Sequence, residues 1–405
     1  MPDREYDVVV FGATSFVGQI LCQYLVERHG SDGNLRWAIA GRNADKLAAV
    51  AASTGADVPI IVADAADRAA LEDLARSTRV VVSTVGPYAL YGSDLVGAVV
   101  DAGGDYCDLT GEVQWMRRMI DAHQVRAEAT GARIVHACGF DSIPSDLGVW
   151  YTQQRAIERL GQPCIDIGMS VAGFKGGVSG GTAASGINMF DEMADDPEVR
   201  NVTSDRYALA PADMRSGPEQ PGVGRPHRDE RFGAWVTPFV MAPTNSAVVL
   251  RSHALLGQPW GREFTYGETM TTGTGPLGAM KAFGMAAAMA AFVGAARFGP
   301  TRALLSKAIP APGEGPDPAQ QESGWFDLRF VGRTASGSLI TTRVTGDRDP
   351  GYGSTARMLG ESAVTFLDLD RTEVGGGFWT PASAFGDRLV ERLEASAGVR
   401  FDVID

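Results

Sequence analysis

Residues 7–25, DVVVFGATSFVGQILCQYL, set a run of branched apolar residues, a glycine and a helical repeat in one unbroken stretch. Branched residues favour a buried strand, Gly12 permits a sharp bend, and Phe16, Val17, Ile20, Leu21, Tyr24 and Leu25 recur at the spacing of one helix face. A strand that turns directly into a helix must pack that helix on its own sheet. The pattern repeats: YDVVVF, LRWAIA, VPIIVA, VVVSTV, DYCDL and RIVHA are separated by helical patterns up to residue 137. Six strands in this alternation predict an α/β fold with a doubly wound parallel sheet.

Beyond the sixth strand the character changes. SDLGVWYTQQRAIERLG reads as a helix with Ser145 as its N-cap and Gly161 past its end. CIDIGMSVAGF follows as a strand, KGGVSGGTAASG is glycine-rich, and residues 195–231 have little periodicity, which predicts a long excursion or lid. REFTYGETMTTG, GWFDLRFVGRT and GSLITTRVTGD resemble antiparallel strands, the last two joined around Ser336 and Gly337. GYGSTARMLGESAVTFLDL and ASAFGDRLVERLEASAG supply two late helices. The expected organisation is a Rossmann-type domain over 1–158, an α+β substrate domain over 159–350, and C-terminal helices over 351–405 that return to the first domain. The most apolar stretch, 276–299, carries only Lys281 and Arg297, and the 15 residues between them are short for a membrane span of about 20 residues. It reads as a buried helix, or else as one that lines an acyl tunnel or rests on a membrane surface.

Charge and cysteine usage narrow the function classes. Among 405 residues, 36 Lys and Arg face 49 Asp and Glu, a formal charge of −13, so nucleic acid is not an expected partner. Cys22, Cys107, Cys138 and Cys164 are scattered with no CxxC pair and no His cluster, which predicts neither a disulfide framework nor a metal site and fits a reducing cytosol. The polar start MPDREYD lacks the basic and apolar regions of a signal peptide. No Ser–His–Asp spacing or Walker loop is present, which leaves hydrolysis and phosphoryl transfer as poor readings.

Gly12, Ser15 and Gly18 occupy the three positions of a G-x-x-G-x-x-G turn between strand and helix. Such a turn lets a pyrophosphate approach backbone N–H groups at the helix N-terminus, so Gly12, Thr14, Ser15, Phe16, Val17 and Gly18 are candidate cofactor contacts. The Ser15 hydroxyl crowds the phosphate slightly and can also donate a hydrogen bond to it. The second strand ends AGRN, with Gly41 and then Arg42 where an Asp or Glu would favour NAD. A guanidinium there pairs with a 2′-phosphate, and Lys46 adds a second charge, so NADPH is the expected cofactor. Asp64, ending IIVAD, either flanks the adenine or caps a helix. Thr84, Val85 and Gly86, at the end of the fourth strand, should pass beside the nicotinamide ribose, with Tyr88 pointing toward the ring as a proton donor or an aromatic wall.

HACGFDSIPSDLG, residues 136–148, together with GATSFVG, AGR, STVGPYALYG, DYCDLTGE, GFKGGVSGGT and MAPTN, resembles the saccharopine dehydrogenase-like oxidoreductases, and within them the mycobacterial trans-acting enoyl reductases. The likeness runs from residue 7 to the tail motifs GDRDPGYGSTARMLGE and TPASAFG. Ser15 departs from it, since the family commonly carries Gly there, which bears on cofactor affinity rather than fold. The resemblance implies NADPH-dependent reduction of a carbon–carbon double bond in a polyketide or long-chain acyl thioester, supplied in trans to a polyketide synthase, with the acyl chain on a carrier protein; the alternatives are a saccharopine-type imine or amino-acid reductase and a nonenzymatic NADPH-binding, lipid-associated protein. Contact with the inner face of the plasma membrane is a further expectation.

Enoyl reduction needs a positioned hydride donor, an electrophilic donor for the enolate oxygen, and an acid. The candidates are Tyr88, Asp141 with Ser142 after the sixth strand, and Lys175, which would hold the thioester oxygen or a phosphopantetheine phosphate. Gly176, Gly177, Gly180 and Gly181 would form an anion nest beside it. The alternatives are a solvated Lys175, a capping Asp141, a turn Ser142, a first-turn helix carboxylate at Glu112 and a core His136. An acidic carrier protein would need a basic face. Arg200, Arg206, Arg215, Arg225, Arg228 and Arg231 are nearly cancelled by Asp205, Asp213, Glu219, Asp229 and Glu230.

Overall fold

The computed structural model describes residues 4–176, 180–222, 224–297, 315 and 317–404. Val8 and Val10 are buried in one apolar core and Val9 in another, as a strand covered by helices on both faces requires. Among the described residues the strands are, in chain order, β1 (Tyr6–Phe11), β2 (Trp37–Gly41), β3 (Ile60–Val62), β4 (Thr78–Ser83), β5 (Asp105–Asp108), β6 (Arg133–Val135), β7 (Cys164–Lys175), β8 (His227–Asp229), β9 (Ala234–Pro238), β10 (Thr265–Gly273), β11 (Trp325–Thr334), β12 (Leu339–Gly346), β13 (Gly377–Trp379) and β14 (Val399–Val403). The first sheet runs β13-β6-β5-β4-β1-β2-β3, all parallel. Its chain order reverses between β1 and β4, which opens a crevice at the carboxyl ends of those strands.

The second sheet runs β14-β12-β11-β7-β10-β9-β8. Contrary to an all-antiparallel reading, β10 lies parallel to β7, and the antiparallel pairing is with β9. The helix Ile143–Leu160 joins the two sheets and presses Gly148 against the Phe330 ring of β11. It begins two residues before Ser145, with Ser142 at the N-cap position and Pro144 in the first turn, so Ser145 is a buried helical residue and not the cap. Gly161 ends it in the left-handed conformation, as expected.

The C-terminal residues do more than supply helices. β13 adds to the edge of the first sheet and β14 to the edge of the second. Arg133 pairs bidentately with Asp105 at 2.8 and 2.7 Å and donates to the carbonyls of Leu369 and Phe366, which ties the returning chain to β5 and β6. The excursion at 195–231 contains the helix Pro197–Ser204 and β8. Three of its six arginines are committed within the fold: Arg231 to Asp229, Arg215 to Asp121, and Arg200 to the Met193 and Ala194 carbonyls. The four cysteines are buried and free.

The apolar helix spans Gly275–Arg297, and the remainder of the 276–299 stretch lies outside the described residues. It is not a buried core helix: Leu277, Met280, Phe283, Met285 and Phe292 are all exposed. Apolar composition demands an apolar medium but does not say that the medium is protein.

Candidate functional site

The carboxyl ends of β1 and β4 are locked together around the glycine turn. Gly12 has φ +91°, and a Cβ there would stand 2.5 Å from Val85 Cγ2 and 2.8 Å from Thr84 Oγ1. A Cβ on Gly18 would meet the Gly12 carbonyl oxygen at 2.4 Å, so the helix Phe16–His29 sits directly on the turn. Ser15 is the N-cap: its Oγ accepts from the Gly18 N–H at 2.9 Å and donates to Thr84 Oγ1 at 2.9 Å, which in turn donates to the Gly12 carbonyl at 2.8 Å. The hydroxyl is therefore engaged within the protein on both sides and pins the turn to the end of β4. Among the described residues, the N–H groups of Thr14, Phe16 and Val17 find no acceptor. Three free donors at a helix N-terminus are the fit a pyrophosphate needs.

Ser15→Ala should cost about 0.5–2 kcal/mol of stability through the lost cap and leave NADPH affinity unchanged. Denaturant melts and cofactor titration read the two effects separately, and a large affinity loss would mean the hydroxyl reaches the phosphate after all.

At the carboxyl end of β2, Gly41 packs against Leu47. Arg42 and Lys46 are exposed and form no ion pair among the described residues. Asn43 caps the helix Ala44–Thr54 by accepting from the Lys46 N–H. Asp64 is exposed at the end of β3 and accepts from the Ala66 N–H at 2.9 Å, while Asp67 caps the next helix. Two unpaired cations beside the turn suit a 2′-phosphate.

Past β4 the structure departs from expectation at Tyr88. Its ring is buried on Trp115, at 5.3 Å between centroids, and its hydroxyl donates to the Ser83 carbonyl at 2.9 Å. Burial pushes its pKa well up, and the side chain faces the core, not the crevice. The reason is Glu112, whose buried carboxylate accepts from the Tyr88 and Ala89 N–H groups at 2.9 and 2.8 Å and fixes the start of the helix Tyr88–Tyr91. Glu112 thus caps a neighbouring helix while standing at the N-cap position of Val113–Thr130. His136 is a core residue, its Nδ1 2.7 Å from Asp108 Oδ2 and its ring 5.0 Å from that of Trp115.

The crevice wall comes from both sheets. A Cβ on Gly86 would stand 3.4 Å from Ser185 Oγ of the helix Gly180–Asp195. One on Gly111 would stand 3.4 Å from Met241 Cε and 3.9 Å from Asp141 Oδ2. Asp141 is half-buried at this junction, its carboxylate has no hydrogen-bond partner among the described residues, and desolvation pushes its pKa up to about 6. Its neighbour Ser142 is fully buried and donates to Asn245 Oδ1 at 3.1 Å. Asn245 Nδ2 reaches Glu268 Oε2 at 3.0 Å, and the Tyr266 hydroxyl donates to Glu268 Oε1 at 2.7 Å.

Glu268 is buried with its pKa raised to about 7 by desolvation, and sequence reasoning missed it. An acid within the strand-like run FTYGETM was the available signal. Lys175 is exposed at the end of β7, where its ammonium donates to Ser323 Oγ at 2.9 Å. Gly180 and Gly181 open the helix Gly180–Asp195, Gly176 lies beside Asp349 and Pro350, and Gly177 is outside the described residues. No cluster of metal-ligating side chains occurs among the described residues.

Residues 8–135 match the family model described as the saccharopine dehydrogenase NADP binding domain. A protein of Mycobacterium tuberculosis, provisionally named a trans-acting enoyl reductase, is 42% identical over 98% of this chain and 97% of its own. A protein of Mycobacterium bovis named trans-acting enoyl reductase is 38% identical over 98% of this chain and 97% of its own. Among solved structures, the apo saccharopine dehydrogenase (L-Glu forming) of Saccharomyces cerevisiae superposes with a TM-score of 0.53 at 16% identity, over 99% of this chain and all of the yeast chain, a likeness of fold.

Proposed function

The chain belongs to the saccharopine dehydrogenase-like oxidoreductases, in the group that contains the trans-acting enoyl reductases, and as an NADPH-dependent enzyme of that group we propose that it reduces the carbon–carbon double bond of an α,β-unsaturated acyl thioester. The observation that carries this reading is full-length similarity to proteins of that name. The acyl chain would be a polyketide or other long chain held on a carrier protein, with a polyketide synthase as the partner in trans. Peripheral contact with a membrane would bring the enzyme to where its lipid products collect.

Bound NADPH supplies the hydride for the β-carbon. The N–H groups of Thr14, Phe16 and Val17 hold the pyrophosphate, and Arg42 with Lys46 holds the 2′-phosphate. Thr84, Val85 and Gly86 form the floor beside the ribose. Asp141 donates the proton to the α-carbon: a carboxyl raised to about 6 retains a useful protonated fraction near neutral pH. The first-turn N–H groups of the helix Gly180–Asp195 lack intrahelical partners and suit the thioester oxygen, since Ser185 of that helix abuts Gly86. Ser142, Asn245 and Glu268 brace the loop that carries Asp141. Lys175 stands at an exposed strand end, so the role that fits it is an anchor for the pantetheine phosphate. Tyr88 takes no part in proton transfer.

The purified protein should consume NADPH with a 2-enoyl thioester and yield the saturated thioester. It should be inert toward an imine formed from an amino acid and an oxo acid. Turnover of the imine with none of the enoyl thioester would replace this reading with the saccharopine-type one.

A further inference from the structure

Among the described residues, no protein surface covers most of the apolar side chains of the helix Gly275–Arg297. Leu277, Met280, Phe283 and Phe292 are 68, 65, 53 and 50% exposed. The most apolar 18-residue window within Gly275–Ala295 has a mean hydropathy of 1.5, and only 11% of it is buried. The anchored part is short: Ala282 is buried, its carbonyl accepts from Thr237 Oγ1 at 3.2 Å, and the Phe283 ring leans on Trp235 at 6.1 Å. From Gly284 through Ala295 the helix carries no charge and stands largely clear of the two sheets. A helix apolar on all sides is stable inside protein or in hydrocarbon, not in water.

Charge decides which medium covers it. Between Glu268 and Glu314 the sequence holds Lys281, Arg297, Arg302 and Lys307 and no Asp or Glu, in a chain whose formal charge is −13. An anionic bilayer repels the bulk of this protein and attracts this segment, so electrostatics both select the surface and orient the molecule on it. A second copy of the chain would instead set the same basic segment against itself.

Length decides how the helix sits. Lys281 and Arg297 are sixteen positions apart, about 24 Å of helix at about 1.5 Å per residue. Set upright from Lys281, the helix would end about 24 Å into a hydrocarbon core about 30 Å thick, short of the far headgroup layer. Laid along the interface, it sets Met285 and Phe292, which share one helix face, among the acyl chains, while Lys281 on that same face extends its ammonium back to the headgroups. We propose that the helix Gly275–Arg297 is an interfacial anchor lying in the headgroup–acyl boundary of an anionic lipid bilayer. The anchor does not depend on which substrate the crevice reduces.

The test floats the full-length protein with vesicles of phosphatidylcholine alone and of phosphatidylcholine with phosphatidylglycerol. Recovery is expected with the anionic vesicles and should fall at high salt. The Met285→Ser, Phe292→Ser double variant should partition at least about tenfold less well, and Lys281→Glu should weaken binding to the anionic vesicles. Cofactor titration and enoyl reduction of a water-soluble thioester should match the wild type in the double variant, which checks its fold; a wild type that floats yet reduces nothing would count against the substrate reading alone. The proposal is overturned by absence of flotation, by equal flotation with neutral vesicles, by flotation that the double substitution leaves intact, or by a stable dimer that the double variant dissociates.

Discussion

Asp141→Asn should lower the rate of enoyl-thioester reduction by about 10²–10⁴-fold, the range for loss of a positioned general acid, with NADPH affinity unchanged. The amide keeps the size of the carboxyl and removes its transferable proton. Because the acid form is the active one, the wild-type rate should fall as pH rises through about 6, and the Asn variant should lose that inflection. A merely structural Asp141 would leave the profile in place. The stability contribution of this group falls with rising pH as the rate does. The folded pKa is raised from 3.8 to about 6, so the folded state holds this proton more tightly than the unfolded chain. That contribution is complete below the unfolded value and is lost as pH climbs through the folded one. Above it the wild type carries an ionised carboxylate without a hydrogen-bond partner among the described residues, and Asn does not. The variant's Tm should therefore equal or exceed the wild type's at neutral pH, with the gap closing on acidification. Near-normal turnover in a well-folded variant would remove Asp141 from the mechanism.

Local signals carried the parts of this site that depend on few residues. The branched run before Gly12, the helical repeat after it and the cations after β2 each lie within one βα unit, so their placement follows from spacing. Direction after a strand does not. Tyr88 turns inward because Glu112 and Trp115, more than twenty residues later, supply the cap and the apolar bed that hold it. The depth of Glu268 is likewise a property of packing between elements, since Asn245 reaches it from the helix Ala242–Leu255 while Tyr266, two residues earlier on β10, completes its hydrogen bonds. β13 is three residues long and pairs with a strand formed about 240 residues earlier, which no window of sequence reveals. Ser145 is a good capping residue by type, but Pro144 precedes it in the first turn of a helix that starts at Ile143.

Arg42→Asp should invert the cofactor preference. The charge-assisted pairing with the 2′-phosphate proposed for Arg42 would be worth about 1.5–3 kcal/mol, roughly 10–150-fold in affinity. The variant loses that pairing, sets a carboxylate against the phosphate, and gains an acceptor for the 2′-hydroxyl of NADH. The NADPH-to-NADH affinity ratio should fall by roughly two to three orders of magnitude. Lys46→Ala should shift it far less, because an exposed lysine is a hydrated point charge without the guanidinium's fork. Arg42 is exposed and makes no ion pair among the described residues, so Tm should not change and a loss of NADPH binding can be assigned to the missing contact. Fluorescence titration of both cofactors measures the ratio. An unchanged ratio would mean that the adenosine end lies elsewhere than beside β2. The free N–H groups of the glycine turn would then bind a pyrophosphate without setting which nicotinamide cofactor the enzyme uses.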